Sequence, residues 1–380
     1  MKKLLVIGFI FLVQSSIAQD FDKIKDFLTI YPNKAKVEKD STLYLSKIIT
    51  SPVVTFAPET SLGIGIGSKY LFKFKGSGEE TRTSNMPASI RYTLKNQFIF
   101  FSGFEVFTNQ EKWVITGNLL FQNFPRFFYG IGRDTSKDNE EDYGTYQFLF
   151  EPLILKKVFT DFLYVGAGPR YNRIYNVEFE EGGIIDAERY SGYNGSTSVG
   201  MEVGLLYDDR DNILNASRGW FFKLTRGFYG DFLGGSNDFN LTRFDLRHYI
   251  SLNQSKRDIV AFQFLGSFSN GNVPFAELAL LGGSEIMRGY REGRYVDNNL
   301  LAGQIEYRKL FKNSRWGVVG FIGGGDVFNQ ASQLKLNTIR PNVGVGVRFM
   351  IDKEERLNLR GDWGFGDASN HLYFTISDAF

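Results

Sequence analysis

Along most of this chain apolar and polar residues alternate with a period of two. Near 238–251, Phe244, Leu246 and Ile250 share one face, and Arg243, Asp245 and Arg247 the other. At 298–311, Leu301, Ile305, Tyr307 and Phe311 interleave with Gln304, Glu306 and Arg308. At 356–366, Leu357, Leu359, Trp363 and Phe365 interleave with Asn358, Arg360 and Asp362. Successive side chains of a strand point to opposite faces, so each set lines one side of a sheet. Sixteen such segments are counted, starting at 62–75 and 85–95, with 126–133 as the fifth and 371–380 as the last. They predict an all-β fold, a transmembrane antiparallel β-barrel of about 16 strands. A charge facing lipid costs roughly 2–4 kcal/mol at the midplane, so the charged face is expected to line the lumen. A soluble β-sandwich alternates similarly, but an export signal and a high aromatic content favour the membrane barrel.

The connections test the count. Long polar or Gly-rich ones occur at Gly76–Ser84, Asp134–Asp142, Tyr175–Asn194, Gly271–Asp297 and Asn329–Ile339. Short ones occur at Asn96–Gln97, Lys157–Asp161, Leu252–Lys256, Lys312–Ser314 and Asp352–Glu355. Outer-membrane barrels keep long loops outside and short turns in the periplasm. That places Gly76–Ser84 outside, with Asp209–Arg218 as an unusually long periplasmic turn and Gln110–Glu111 as a tight external one.

Lys2 and Lys3 precede the apolar run Leu4–Val13, which is too short to span a bilayer, and Ser16-Ile17-Ala18 offers small residues for cleavage. Residues 1–18 therefore read as a signal peptide. Residues 19–51 read as a short N-terminal periplasmic segment, in which Phe21, Ile24, Leu28 and Tyr31 fall at helical spacing. Residues 52–380 read as the barrel domain. The chain has 38 Phe, 19 Tyr and 41 Gly but 9 Pro, a balance that suits strands and turns. Without Cys, and with only His248 and His371, no disulfide, thiolate metal site or histidine metal cluster is expected. Removing Lys2 and Lys3 takes 44 basic against 42 acidic residues to 42 against 42, which argues against nucleic acid as a partner. No cofactor is expected. Nothing with Ser-His-Asp spacing supports an enzyme.

Three blocks resemble the BamA/TamA outer-membrane superfamily. The first is Gly282-Gly283-Ser284-Glu285-Ile286-Met287-Arg288-Gly289-Tyr290, where Arg288, Gly289 and Tyr290 match a loop that in the family folds back into the barrel. The second is Tyr207-Asp208-Asp209-Arg210-Asp211-Asn212 followed by Ser217-Arg218-Gly219-Trp220, similar to a periplasmic turn of the family. It accounts for the clustered Asp208, Asp209 and Asp211 without a metal. The third is Ile305-Glu306-Tyr307-Arg308, where the family has an inward glutamate. The resemblance implies a sixteen-stranded barrel with Arg288 reaching Glu306 inside the lumen, and a reciprocal charge swap is expected to restore that pair. It also implies inner-wall roles for Phe321, Arg308 and Asp362, with Phe380 as the terminal aromatic. Where the family has an aspartate two residues after Phe321, this chain has Gly323, so a weaker loop anchor is expected. In the last strand Asp378 interrupts the apolar row. The 33 residues before the barrel are too few for one of the family's periplasmic domains.

The resemblance implies protein insertion into, or translocation across, the bacterial outer membrane. The expected partners are outer-membrane lipid, client proteins and a separate periplasmic or outer-membrane protein. Leu62–Ser68, read as the first strand, carries Gly63, Gly65 and Gly67, which would loosen its seam with the last strand and let an incoming strand pair there. The alternative is a passive or plugged pore, or a structural partner in a surface complex.

Overall fold

The computed structural model describes residues 29–57, 60–353, 356–376 and 378–380. Sixteen antiparallel strands close into a barrel. They are β1 (Lys47–Ala57), β2 (Ser61–Phe72), β3 (Ser84–Thr93), β4 (Phe98–Phe107), β5 (Trp113–Asn123), β6 (Glu141–Lys157), β7 (Leu163–Glu178) and β8 (Ser196–Asp208). The second half is β9 (Gly219–Tyr229), β10 (Phe239–Ser251), β11 (Asp258–Gly271), β12 (Asn299–Leu310), β13 (Trp316–Phe328), β14 (Arg340–Asp352), β15 (Leu357–Gly366) and β16 (Ser369–Ile376). Two short strands, Thr29–Ile30 and Arg126–Phe128, add to the sheet at its margins.

The number of strands agrees with the alternation, but two assignments change. The first strand is β1, not 62–75, and it begins inside the stretch read as the N-terminal segment. The expected strand 126–133 shrinks to Arg126–Phe128, which pairs only with the outer end of β6. β1 was hidden because Ile48-Ile49 and Val53-Val54 break the two-fold pattern and Pro52 sits mid-strand. Pro lacks a ladder donor and is tolerated at an edge, and β1 borders the seam. The helix expected from Phe21, Ile24, Leu28 and Tyr31 lies largely outside the described residues. Its described end, Thr29–Ile30, is extended and pairs with Ile49 and Ile48.

Restoring β1 reverses the sidedness of the early connections. Gly76–Ser84 and Gln110–Glu111 lie at the same end as Asp209–Arg218, not outside. Arg82 ties the three together, donating to both Glu111 oxygens and, at 2.6 Å, to Asp208. Asn96–Gln97 moves to the outer end, where the Gln97 amide donates to the Pro125 carbonyl. With these changes the alternation of ends runs the length of the barrel.

The burial pattern is inverted relative to a soluble sandwich. On β14, Val343, Val345 and Val347 are 53%, 58% and 49% exposed while Asn342 and Arg348 are buried. On β15, Leu359 and Trp363 are exposed while Asn358, Arg360 and Asp362 are buried. Leaving a large apolar side chain in water forfeits roughly 1.5–3 kcal/mol, so this outer band is a surface for hydrocarbon. Trp113, Trp220 and Tyr307 mark its lower edge as an aromatic girdle. Inside, apolar clusters form where loops enter. Phe128, Tyr143, Ile185, Phe275 and Val296 pack near the outer mouth, and Leu281, Met287, Tyr290 and Tyr295 pack on the β12–β13 wall.

Candidate functional site: the lumen loop and the seam

Residues 272–298 run from β11 into the lumen and return to β12, pinched by the short pair Ala279–Leu281 and Tyr295–Asp297. The turn at its tip depends on close backbone approach. Gly289 has φ +110°, and a Cβ there would come within 2.5 Å of the Phe365 carbonyl carbon. On the facing strand, a Cβ on Gly364 would meet the Arg288 carbonyl carbon at 2.5 Å. Glycine on both partners lets the loop backbone lie against β15.

Arg288 is fully buried. Its Nη2 donates to Glu306 Oε2 at 2.7 Å and Gln304 Oε1 at 3.0 Å, and its Nη1 donates to Asp362 Oδ2 at 2.6 Å. The guanidinium lies 3.5 Å from the centre of the Phe321 ring. The planar fork thus spans two carboxylates while its face stacks on an aromatic, a combination open to Arg but not Lys. Glu306 also accepts from Arg308 Nε at 2.7 Å, and Asp362 from Arg348. No carboxylate reaches Arg288 from position 323, and its Nε has no hydrogen-bond partner among the described residues. Asp362, from β15, supplies the second carboxylate. A Cβ on Gly323 would lie 2.6 Å from Asn342 Oδ1, and the Asn342 amide donates to the Arg288 carbonyl. Asn342 fills the space an aspartate would need.

The loop also grips the last strand. Ser369 Oγ donates to the Gly289 carbonyl at 2.7 Å, the Gly289 amide donates to Tyr373 Oη at 3.2 Å, and Tyr373 Oη donates to the Tyr290 carbonyl at 3.1 Å. Tyr290 Oη reaches the Pro341 carbonyl on β14. Sequence reasoning put Gln304 on the lumen face without giving it a partner, and missed Asn342, Ser369 and Tyr373. Their lumen-facing parity was the available signal, Ser369 and Tyr373 alternating with Leu372 and Phe374.

A second anchor lies across the lumen. Glu277 is held by Arg170 at 2.8 and 3.2 Å and by the Asn172 amide at 2.6 Å, both on β7. The 124–140 connection folds over the outer side of the loop. Arg294 donates to Thr135, and Arg291 to Tyr129 and Glu140. Burial, then the Glu140 carboxylate, push the Tyr129 phenol up to about 12. Arg133 of the same connection reaches Asp326 on β13 at 3.0 Å, and Lys137 reaches the Ala368 carbonyl beside β16. The loop is strung between opposite walls under a lid.

The seam differs from the other strand contacts. β1 pairs with β2 from Lys47↔Leu71 to Ala57↔Ser61, whereas among the described residues it meets β16 at one register pair, Phe56↔Phe374. Thr29–Ile30 occupies the inner end of the same edge. Gly63, Gly65 and Gly67 are not at this seam, because they belong to β2. There they relieve crowding, since a Cβ on Gly65 would come within 2.8 Å of the Arg91 Cα and one on Gly67 within 2.7 Å of Val53 Cγ2. Phe380 is likewise not part of the last strand, which ends at Ile376. It is buried with Ala216, Tyr249 and Ala261, and its carbonyl accepts from Arg308 Nη2 at 2.8 Å. Asp378 does not interrupt the lipid-facing row, because it points inward to Arg348 and Asn358.

At the inner mouth, Asp208 pairs with Arg210 through both oxygens. Asp211 accepts from the Ser217 amide and hydroxyl at 2.8 and 2.6 Å, from Arg356 at 3.0 Å and from Lys256 at 3.3 Å. Arg218 is exposed and contributes its backbone, and Gly219 has φ +108° with the Asp209 carbonyl 2.6 Å from where a Cβ would stand. Asp208 and Asp211 are thus committed to structural partners. Burial would raise the Asp211 carboxyl, but Ser217 and Arg356 outweigh it and hold it well below the usual carboxylate range. A depressed carboxyl stabilises the fold above its unfolded value, near pH ~4, and that stability is lost as pH falls below it. Asp211→Asn is expected to destabilise the barrel by about 1–3 kcal/mol at neutral pH, with the gap closing in acid. Urea titration followed by heat-modifiable gel mobility checks both the size and the convergence.

No curated protein matches the chain in sequence. Among solved structures, BamA from Haemophilus ducreyi lacking POTRA domains 1–3 superposes with TM-score 0.56 at 14% identity, over 87% of this chain and 70% of that one. CdiB from Acinetobacter baumannii gives TM-score 0.57 at 9% identity and CdiB from Escherichia coli 0.58 at 10%, each over 87% of this chain. The chain spans 59% and 62% of those two proteins. These likenesses establish a shared barrel architecture. The family model described as the Omp85 superfamily domain matches residues 67–380, so the chain belongs to the Omp85 superfamily, whose barrels sit in the bacterial outer membrane.

Proposed function

We propose that this barrel inserts proteins into the outer membrane or moves them across it, acting with a separate periplasmic or outer-membrane partner. The observation that carries this reading is the seam. Among the described residues a single register pair joins β1 to β16, while the lumen loop holds β16 from inside. A closed barrel in lipid pays for every unpaired backbone group, so a poorly zipped edge is retained at a cost and suits the templating of an extended client segment. Omp85 members are transporters or insertases rather than enzymes, and no catalytic role is assigned to any residue. Depleting the protein and quantifying the outer-membrane proteome tests the reading. Broad loss of barrel proteins supports general insertion, and loss of a small set supports a dedicated transporter. An unchanged proteome would remove both.

The alternative, a passive pore, is opposed by the strut-like loop and its lid. Single-channel recording is expected to give small, flickering conductance from the intact barrel. Large and steady conductance would favour the pore.

A further inference from the structure

The turn between β6 and β7, residues 158–162, stands at the periplasmic rim, and its backbone is strained. Phe159 has φ +59° and is 98% exposed. The left-handed region is disfavoured for a bulky side chain and is the ordinary place for Gly or Asn. The turn is nonetheless closed by its backbone, the Val158 amide donating to the Leu163 carbonyl at 2.9 Å and the Thr160 amide to the Val158 carbonyl at 2.6 Å. Glycine would make this turn without strain. A phenylalanine ring that touches almost no protein adds nothing to the fold in water, so the position calls for something outside the chain.

Phe159 borders an open cleft of about 460 Å³ with Lys112, Trp113, Lys156, Lys157 and Asp161. The turn and the strand ends that flank it lie wholly among the described residues. Trp113 and Lys156 are cross-strand partners, with the ammonium 5.6 Å from the centre of the indole ring. Lys156 continues the lipid-facing row of Phe150 and Ile154 on β6. Lys157 donates to the Gln110 carbonyl at 2.7 Å and lies 3.8 Å from Asp161. Lys112 and Lys156 have no ion-pair partner among the described residues. Glu111, next to Lys112, turns inward to Arg82 and Tyr164. Three cations therefore line the cleft against one carboxylate.

We infer that this turn is a phospholipid clamp, in which Phe159 enters the inner leaflet while Lys112 and Lys156 hold the phosphate of an anionic phospholipid beside Trp113. In lipid the exposed ring gains the burial that water denies it, and an indole suits the interface. Each cation near an anionic headgroup contributes about fivefold in affinity. A free phosphate or an acidic peptide would satisfy the lysines but leave Phe159 in water. The inference is independent of the client-handling role, since it concerns lipid held by the resting barrel.

Photo-crosslinking of the intact barrel tests it, in phosphatidylcholine nanodiscs with a minor share of diazirine-bearing phosphatidylglycerol and with adducts mapped by peptide mass spectrometry. Adducts are expected on residues 158–162, at several-fold higher yield than from a diazirine-bearing phosphatidylcholine, and excess inorganic phosphate should leave them in place. Lys112→Gln/Lys156→Gln, which touches neither the loop anchor nor the seam, should lower that yield at least roughly tenfold. Phe159→Gly should lower it by a similar factor, while stability in detergent does not fall, because glycine relieves the left-handed turn. Equal yields from the two lipids, undiminished labelling in either variant, or displacement by inorganic phosphate or by an acidic peptide would each overturn the proposal. So would a loss of detergent stability in Phe159→Gly, which would make the ring a part of the fold.

Discussion

Arg288→Ala is expected to free the lumen loop and abolish function, by removing the cation that two buried carboxylates share. Glu306 and Asp362 have no solvent to turn to, both side chains being fully buried. Removing one partner of a buried ion pair typically costs about 3–5 kcal/mol, and the stack on Phe321 is lost as well. Arg288→Lys should fail almost as completely, because an ammonium cannot span the two carboxylates and lie flat on the ring. The structure also revises the expected charge swap. An arginine at 306 would face Arg308 and Arg348, which now share the Glu306 carboxylate, so the swap should not restore the pair. Limited proteolysis of the loop in barrels that remain folded by gel mobility gives the readout. Protection and stability equal to wild type in Arg288→Ala would contradict the account.

The sequence carried the barrel because its strands alternate and its loops announce themselves. It carried the loop motif because Arg288, Gly289 and Tyr290 are contiguous. It did not carry β1, where paired apolar residues and Pro52 conceal the period, and that omission misplaced the seam onto Gly63, Gly65 and Gly67. Nor did it carry the second carboxylate that meets Arg288. That carboxylate, Asp362, is distant in sequence and becomes a neighbour only when β13, β14 and β15 lie side by side. The grip on Ser369 and Tyr373 was unreadable for the same reason, since a hydroxyl on a lumen-facing strand position has no signature of its partner. The inward turn of Asp378 and Phe380 depends on Arg308, Arg348 and Asn358 from three other strands. Local pattern sets the strands, while the polar lumen is a long-range arrangement.

The second large effect is expected at the seam. In a Phe56→Cys/Phe374→Cys variant, the two thiols replace the one β1–β16 register pair among the described residues. Residues opposite each other on antiparallel strands lie within disulfide reach. Both phenylalanines face lipid, at 37% and 44% exposure, so their removal opens no internal cavity. The chain has no other cysteine, which makes the cross-link unambiguous. Oxidation should leave the barrel folded and its loop protected, yet block client handling as thoroughly as depletion. Reduction should restore it.

The most direct measurement is therefore the outer-membrane proteome of cells whose only copy is this double-cysteine variant, compared between oxidising and reducing conditions. The account predicts that the proteins lost on depletion are also lost when the seam is locked and return when it is reduced. Normal levels of those proteins behind a fully formed disulfide would show that the seam does not open to do its work.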